Sequence, residues 1–369
     1  MSAEPLVYSE PEIILRPAAV PAVTPDTAVE LLRPHREAEW DRYVKIAPGG
    51  TFFHQLGWRW LVERTFGHRA HYLTALRDGN IAGVLPLFEL KSLLFGHSLV
   101  SIPFAIGGGI AADDGAAARA LLDHAKELAR ELKVDYLELR SETPVDDPEL
   151  LTKDLYVTFR ADLDLGEEGL LKRMERKRRQ MMSYVAKAPF EHRVAGLEEL
   201  PLFYRMFCES MRHHGTPVYP KLFLREILDR HPGHTNLFFV YHEGKPVASV
   251  LNLLFRDVVM PFYAGADRTE RPRGVDDYLY LAIMRWGREH GFRTFDFGRS
   301  KRGTGAWKFK SRWGMDEVPL GYQYYLVKAR QLPNVSPANP KYQRAIRLWQ
   351  KLPLAATRLI GPSIVKRVP

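Results

Sequence analysis

The hydrophobic pattern changes period several times along the chain, and it does so in the same order twice. Asp78-Gly79-Asn80 and Glu243-Gly244-Lys245-Pro246 are turn signals set between apolar runs. The runs that follow them are IAGVLPLF (81–88) and VASVLNLL (247–254), so each turn predicts a β-hairpin. A helical period comes later in each half. Leu121, Ala125, Leu128 and Leu132 share one helical face, as do Val275, Leu279, Ala282, Ile283 and Trp286. Asp276 near the start and Gly291 just past the end punctuate the second of these helices. Upstream of the hairpins, 54–66 and 197–213 predict helices rich in aromatic residues.

Two more matches make this an internal repeat. IPFAIGG (102–108) parallels MPFYAGA (260–266), with Pro103 opposite Pro261 and Phe104 opposite Phe262. YLELRS (136–141) parallels FDFGRS (295–300), with Arg140 opposite Arg299. The interval from Pro to Arg is 37 residues in one copy and 38 in the other. The order helix, helix, antiparallel strands, helix, strand, strand resembles the GNAT fold. The expectation is therefore an α/β (α+β) chain of two tandem GNAT-like domains, each a mixed, mostly antiparallel sheet flanked by helices. Residues 1–28 form a lead-in, 29–155 the first domain, 156–330 the second, and 331–369 a linker and a basic helix. Pro86 inside a strand pattern predicts an edge or a bulge; GNAT domains have such a bulged central strand, which opens a cleft for the acyl donor.

Composition narrows the class. With 369 residues, 46% hydrophobic and 26% charged, the chain has the make-up of a globular protein with room for two ordinary domains. No apolar run reaches the ~18 residues that span a bilayer. The first 26 residues are rich in Pro, Ala and acids and lack a basic segment followed by an apolar one, so they read as a disordered lead-in without a secretory signal. The single cysteine, Cys208, excludes an intramolecular disulfide and reads as a buried small hydrophobe; a cytoplasmic location is expected. The net charge of +9 favours anionic partners such as phosphates, RNA, nucleotide sugars or acidic lipid, and no DNA partner is expected.

A basic stretch opening the second copy gives the pattern a family likeness. LLKRMERKRRQMMSYVAKA (170–188), HHGTPVYPKLF (213–223), MPFYAGADR (260–268), TFDFGRSKRGTGAWKFKSRWG (294–314) and NPKYQRAIRLWQKLPL (339–354) resemble the FemAB-like aminoacyltransferases. More narrowly, they are similar to the FemAB-related proteins that accompany exosortase and exopolysaccharide systems. No sustained heptad marks the coiled-coil arm of FemA-type enzymes, so the likeness is to an armless form. The resemblance implies acyl transfer to an amine, with a catalytic second domain and a non-catalytic first one. It implies aminoacyl-tRNA or acyl-CoA as donor and no tightly bound cofactor.

Acyl transfer needs a route for the amine proton and a cation or donor near the developing oxyanion. No Gly-x-Ser-x-Gly elbow or HExxH motif is present. In the family, a Phe-Lys pair at the place of Phe309-Lys310 faces the reacting ends. The resemblance thus assigns Lys310 to charge on a tetrahedral intermediate or leaving group, with Phe309 beside it and Trp307 among the substrate contacts. The alternation by itself favours a strand with Trp307 and Phe309 inward and Lys308 and Lys310 in solvent. Tyr263 stands where the first copy has Ala105; its phenol can bridge substrate groups or relay a proton, or simply fill the core. Asp296, opposite Leu137, can accept the amine proton or hold Arg299. Arg299, matched by Arg140, reads as a strand-end salt bridge, or with Lys301, Arg302 and three glycines as a phosphate-contacting loop.

The basic run Lys172, Arg173, Arg176, Lys177, Arg178, Arg179 covers more than one helical face. It suits a phosphate-rich ligand, with Arg176 and Arg179 as contacts, or is a solvated face. His213 and His214 point about 100° apart on a helix, so no metal site is expected. By resemblance, the following loop with Thr216 and Tyr219 contacts the acceptor. CoA-dependent GNAT domains hold a pyrophosphate on a Gly-rich turn at a helix N-terminus. Here that place reads Arg271-Pro272-Arg273-Gly274-Val275-Asp276-Asp277, whose two acids weigh against tight CoA binding. In the tail, Tyr342, Ala345, Ile346 and Trp349 share a face, with Lys341, Arg344, Arg347 and Lys351 elsewhere. Such a helix can lie on an anionic inner membrane as a peripheral contact or dock on the protein body; its shortness and Pro353 favour docking. The leading reading is an aminoacyl- or acyltransferase acting on a cell-envelope or exopolysaccharide precursor. A CoA-dependent N-acyltransferase and a non-catalytic scaffold are the alternatives.

Overall fold

The computed structural model describes residues 27–92, 95–267, 269, 271–333 and 340–367. The expected lead-in lies almost wholly outside the described residues, as does the linker over 334–339.

The first copy runs β1 (Ala28–Leu31), α1 (Glu37–Val44), α2 (Leu56–Phe66), β2 (Arg69–Arg77), β3 (Asn80–Ser92), β4 (Gly96–Val100), β5 (Ala111–Ala112), α3 (Gly115–Glu131), β6 (Tyr136–Arg140) and β7 (Leu151–Asp162). The second adds α4 (Gly166–Arg173), α5 (Arg176–Val185), β8 (Phe190–Ala195), α6 (Leu200–His213), α7 (Lys221–Arg230), β9 (Thr235–His242), β10 (Lys245–Phe255), β11 (Val258–Ala266), α8 (Val275–Glu289), β12 (Thr294–Asp296), β13 (Ser300–Lys301), α9 (Gly305–Ser311) and β14 (Asp316–Leu326). Helices α10 (Pro340–Lys351) and α11 (Leu354–Val365) follow.

Both predicted hairpins form, on the same turn. Asp78 and Gly79 have φ of 50° and 80°, and Glu243 and Gly244 have 50° and 74°. Two successive positive φ values match the twist of a two-residue hairpin, and glycine takes the second at no steric cost.

The strands make one continuous sheet in the order β1-β2-β3-β4-β6-β14-β7-β12-β11-β10-β9-β8, with β5 on β3 and β13 on β7. Each copy contributes an antiparallel meander and then a parallel neighbour reached through a helix: β4 beside β6 through α3, and β11 beside β12 through α8. The copies meet at β14 and β7. Strand β14 pairs with β6 of the first copy and with β7, and β7 pairs with β12 of the second. Each copy is thus closed by a strand from the far side of the chain, and the division expected at residue 155 falls inside β7.

One face of the sheet carries a core shared between the copies. Trp40, Phe53, Trp58 and Phe66 of the first pack with Phe203, Phe207, Phe223 and Phe239 of the second. On the other face α3 and α8 cover separate cores, the first around Leu121 and Leu137, the second around Leu279, Phe295 and Trp313. The shared core ties the two halves into one body.

Three local expectations meet the structure here, and the second and third are corrected. Pro86 lies inside a central strand, at a locally unpaired edge rather than a bulge. It pairs with Tyr72 on one side, and on the other it falls between the residues that pair with β5 (Gly83, Val84) and those that pair with β4 (88–92). No ladder bond is asked of it on that side. The basic run is two helices, broken at Met174, whose extended backbone ends α4; Arg179 caps that end through Met174 O at 2.5 Å. Residues 305–311, with the alternation Trp-Lys-Phe-Lys, form helix α9, started by Thr304, whose hydroxyl accepts from Trp307 N. The strand reading of that stretch does not hold.

Candidate active site

Strands β11 and β12 run parallel only at Val258–Thr294 and Val259–Phe295, and then part. The cause is local. Pro261 has no N–H for a ladder, and the register of β10 and β11 skips Phe262 between Tyr263 and Pro261, a β-bulge. The gap opens into a cavity of about 910 Å³ that crosses the sheet centre. Its walls come from both copies: Phe104, Ile106, Glu138 and Arg140 from the first, and Tyr263, Tyr280, Arg299 and Lys310 from the second. Strands β7 and β14 supply Lys153, Tyr156, Tyr322 and Tyr324.

Lys310 stands at the gap. Its Nζ donates to Phe297 O at 2.7 Å and Gly298 O at 3.0 Å, two carbonyls past the end of β12. Two of its three donors are used, which leaves one for a ligand. Desolvation pushes the ammonium down to about 8 from the ordinary lysine value, against the pull of Asp296. Arg299 lies deeper. Its side chain is open to the cavity, with its guanidinium 4.8 Å from the Tyr156 ring centroid and Nη1 donating to Tyr322 Oη at 3.3 Å. Among the described residues it has no carboxylate partner. The strand-end salt bridge expected of both arginines is made by Arg140, to Glu138 at 2.8 Å, and not by Arg299. Five cations and two carboxylates line the cavity, so it is a place for anions.

Tyr263 lies on the bulged strand, hydrogen-bonded to Tyr219, with its hydroxyl 3.5 Å from Phe104 O. Burial pushes its phenol well above the ordinary value, so it acts as a neutral hydrogen-bonding group. Thr216 and Tyr219 share this wall. The matched first-copy segment is not a strand. Ile102 and Phe104 hold φ of 51° and 62°, and this strained loop turns Phe104 onto Phe66, Tyr219 and Phe223.

The other expected site residues lie outside the cavity lining. Asp296 is buried, bonded to Thr158 Oγ1, to Arg160 at 2.8 Å and to Gly298 N at 2.7 Å. Its carboxylate accepts these three bonds and pairs with Arg160 rather than with Arg299. Phe309 packs on Phe297, Tyr280 and Trp313, under the Arg178 guanidinium at 4.5 Å. Trp307 Nε1 donates to Glu317 at 2.8 Å, and Arg302 pairs with Glu317 and Asp154. Arg176 and Arg179 sit on α5, away from the cavity. Sequence reasoning missed Glu138, Arg140, Lys153, Tyr156 and Tyr322; the Arg140–Arg299 match was the one available signal that both copies supply walls. Among the described residues no group of three His, Cys, Asp or Glu could hold a metal ion.

The site where GNAT domains hold pyrophosphate is the N-terminus of α8, and here α5 lies across it. Arg178 pairs with Asp277, and a Cβ on Gly274 would meet Val185, Met181 and Tyr184.

Comparison with known proteins agrees with this geometry. Residues 171–311 match the family model described as an acetyltransferase (GNAT) domain. No curated protein matches the chain. Among solved structures the chain is similar to FemX, at 17% identity and a TM-score of 0.64 over 86% of this chain and 100% of that one. It is similar to the C-terminal domain of a putative lysylphosphatidylglycerol synthetase from Agrobacterium fabrum, at 15% identity and 0.56 over 90% and 96%. A tandem GNAT protein from the clavulanic acid biosynthesis pathway matches at 13% and 0.51 over 84% and 100%. At these identities the structural likeness is one of fold. The chain therefore has a tandem GNAT-like fold, which it shares with a tandem GNAT protein, and carries a GNAT acyltransferase domain in its second copy.

Proposed function

We propose that the protein transfers an aminoacyl group from aminoacyl-tRNA to an amine of an anionic cell-envelope or exopolysaccharide precursor, with the chemistry at Lys310. The observation that carries this reading is the Lys310 ammonium, held at the mouth of the strand gap by two backbone carbonyls and facing a cavity that also holds Arg299. The acceptor amine attacks the ester carbonyl, and the C–N bond forms as the carbonyl electrons move to oxygen. The remaining Lys310 N–H stabilises that oxyanion, then the departing ribose oxygen as the C–O bond breaks. The amine proton leaves to solvent or to the leaving oxygen. Arg299 holds an anionic group of the acceptor, with Tyr156 and Tyr322 beside it, while Thr216, Tyr219 and Tyr263 line the opposite wall.

The covered N-terminus of α8 favours the tRNA donor, because the anion site that a CoA pyrophosphate uses is occupied by α5. A fold shared with a putative lysylphosphatidylglycerol synthetase fits an aminoacyl cargo. The match of 171–311 to an acetyltransferase domain favours the second reading, a CoA-dependent N-acyltransferase. Binding titrations of aminoacyl-tRNA and acetyl-CoA over a range of salt separate the two. The first reading expects saturable tRNA binding that weakens steeply with salt as counterions are released. Saturable acetyl-CoA binding with no tRNA preference would replace it with the second.

A further inference from the structure

Helices α10 and α11 both pack on α6, and they do so with one face each. In α10, Trp349 is buried and Ile346 lies against Gly215. In α11, Thr357, Gly361 and Val365 are buried, four residues apart, with Gly361 against Val218. The docking expected of this tail is therefore made. It leaves a second apolar set with no partner in the fold: Leu359 is 79% exposed, Leu348 65%, Ile360 43% and Ile364 38%. Positions 356, 360 and 364 lie one above another on α11, with 359 beside them, so the exposed residues form a stripe rather than a scatter.

The charge on the two helices themselves is of one sign. After Glu317 the sequence has nine Lys or Arg and no Asp or Glu, a surplus equal to the net charge of the whole chain. Arg344, Arg347 and Lys351 are exposed on α10, and Arg358, Lys366 and Arg367 on or just after α11. An apolar stripe on helices that carry cations and no acids is complementary to an anionic bilayer. Apolar side chains enter the acyl boundary while the cations meet lipid phosphates. No helix among the described residues is long and apolar enough to cross a membrane, so the contact is peripheral.

The helix that carries the stripe also reaches the cavity. Val365 lines the cavity from the inner face of α11, and Gly361 is in contact with the loop that carries Thr216, Pro217 and Tyr219. We propose that α10 and α11 form a docking surface for an anionic membrane, which sets the cavity mouth at the lipid headgroups and makes a lipid-anchored molecule the acceptor. The surface stands on its own observations; the acceptor class rests on the transferase reading above.

Flotation of the full chain with vesicles tests the surface without any donor or acceptor. The protein is expected to float with vesicles of phosphatidylcholine and phosphatidylglycerol, to stay behind with phosphatidylcholine alone, and to lose binding as salt rises. Leu359→Gln is expected to weaken binding about tenfold, and Arg347→Gln and Lys351→Gln roughly fivefold each. These side chains are exposed, so the variants should unfold at the wild-type midpoint. Failure to float with anionic vesicles overturns the proposal. So does a concentration-dependent dimer that Leu359→Gln dissociates, because a second copy then covers the stripe. Flotation without acyl transfer would keep the surface and remove the transferase reading; transfer to soluble amines without flotation would do the reverse.

Discussion

Arg140 and Arg299 hold matching places in the two copies, and their surroundings show how one fold serves two ends. Arg140 is buried against Glu138, and its backbone carbonyl accepts from Gly108 and Gly109, so it meets the cavity already neutralised and held by its own copy. Arg299 faces tyrosines and open cavity and has no acid beside it among the described residues. The helix ends differ likewise. In the first copy Asp114 caps α3 by accepting from Ala116 and Ala117, and Arg77 holds that carboxylate down to about 2. In the second, α8 starts at Gly274 with no side-chain cap and lies under α5. The first copy pairs its matched arginine with Glu138, caps its helix with Asp114, and lends a strained loop as a wall. The second leaves Arg299 without a carboxylate beside it where its strands part, and a cation whose charge no acid neutralises is one an anionic ligand can use.

The contrast can be broken most severely at the two arginines. Arg140→Met strands the buried Glu138 carboxylate and should cost ~3–5 kcal/mol of stability in denaturant unfolding. Arg299→Met leaves no acid unpaired, so it should shift stability by less than about 1 kcal/mol while raising KM for the acceptor. Equal destabilisation by both would show that the copies are not electrostatically different. Next in size, Lys310→Ala should lower the transfer rate by ~10²–10³-fold, the scale of one lost oxyanion donor. Its unfolding midpoint should hold or rise, because a desolvated ammonium has been removed. Asp296→Asn should act through structure, costing ~1–3 kcal/mol as Arg160, Thr158 and Gly298 lose a charged acceptor. The pH dependence of its residual activity should match that of the wild type; a lost ascending limb would restore the carboxylate as the base. The smallest effect is expected at Cys208. Its thiol, pushed up to about 11 by burial, should resist alkylation until the protein unfolds.

How much of this was legible in the chain follows from the range of each signal. The hairpins at Asp78-Gly79 and Glu243-Gly244 were, because the turn that residues with positive φ require is decided within a few positions. Helices α3 and α8 were, because their apolar period runs over more than three turns. The exchange of β7 and β14 was not, since pairing between strands some 160 residues apart leaves no local trace. Helix α9 was misread from four alternating residues, although Thr304 stood ahead of them as a cap. At the site, the sequence pointed to Lys310 and Tyr263 and matched Arg140 with Arg299. It could not tell that Glu138 neutralises one arginine while tyrosines surround the other, because that depends on which strands lie side by side. The break at Met174 was hidden for a similar reason. Residues 173 and 314 meet closely there, and α4 cannot continue into α5 past that contact.

The central claim is that a charged Lys310 in the second copy performs the transfer, and its desolvation fixes the pH at which that fails. Lys310 titrates near 8 in the folded protein and near the ordinary lysine value when unfolded. Between those two values the unfolded chain binds more protons, so stability rises with pH across that window. Activity that needs the ammonium falls as pH passes upward through about 8. The decisive measurement is the single-turnover rate of transfer from aminoacyl-tRNA, over pH, for the wild type and for Lys310→Arg. The account predicts a descending limb near pH 8 in the wild type that disappears in Lys310→Arg, which keeps its charge. A wild-type profile that stays flat or keeps rising above pH 8, or a limb unchanged by Lys310→Arg, would contradict it.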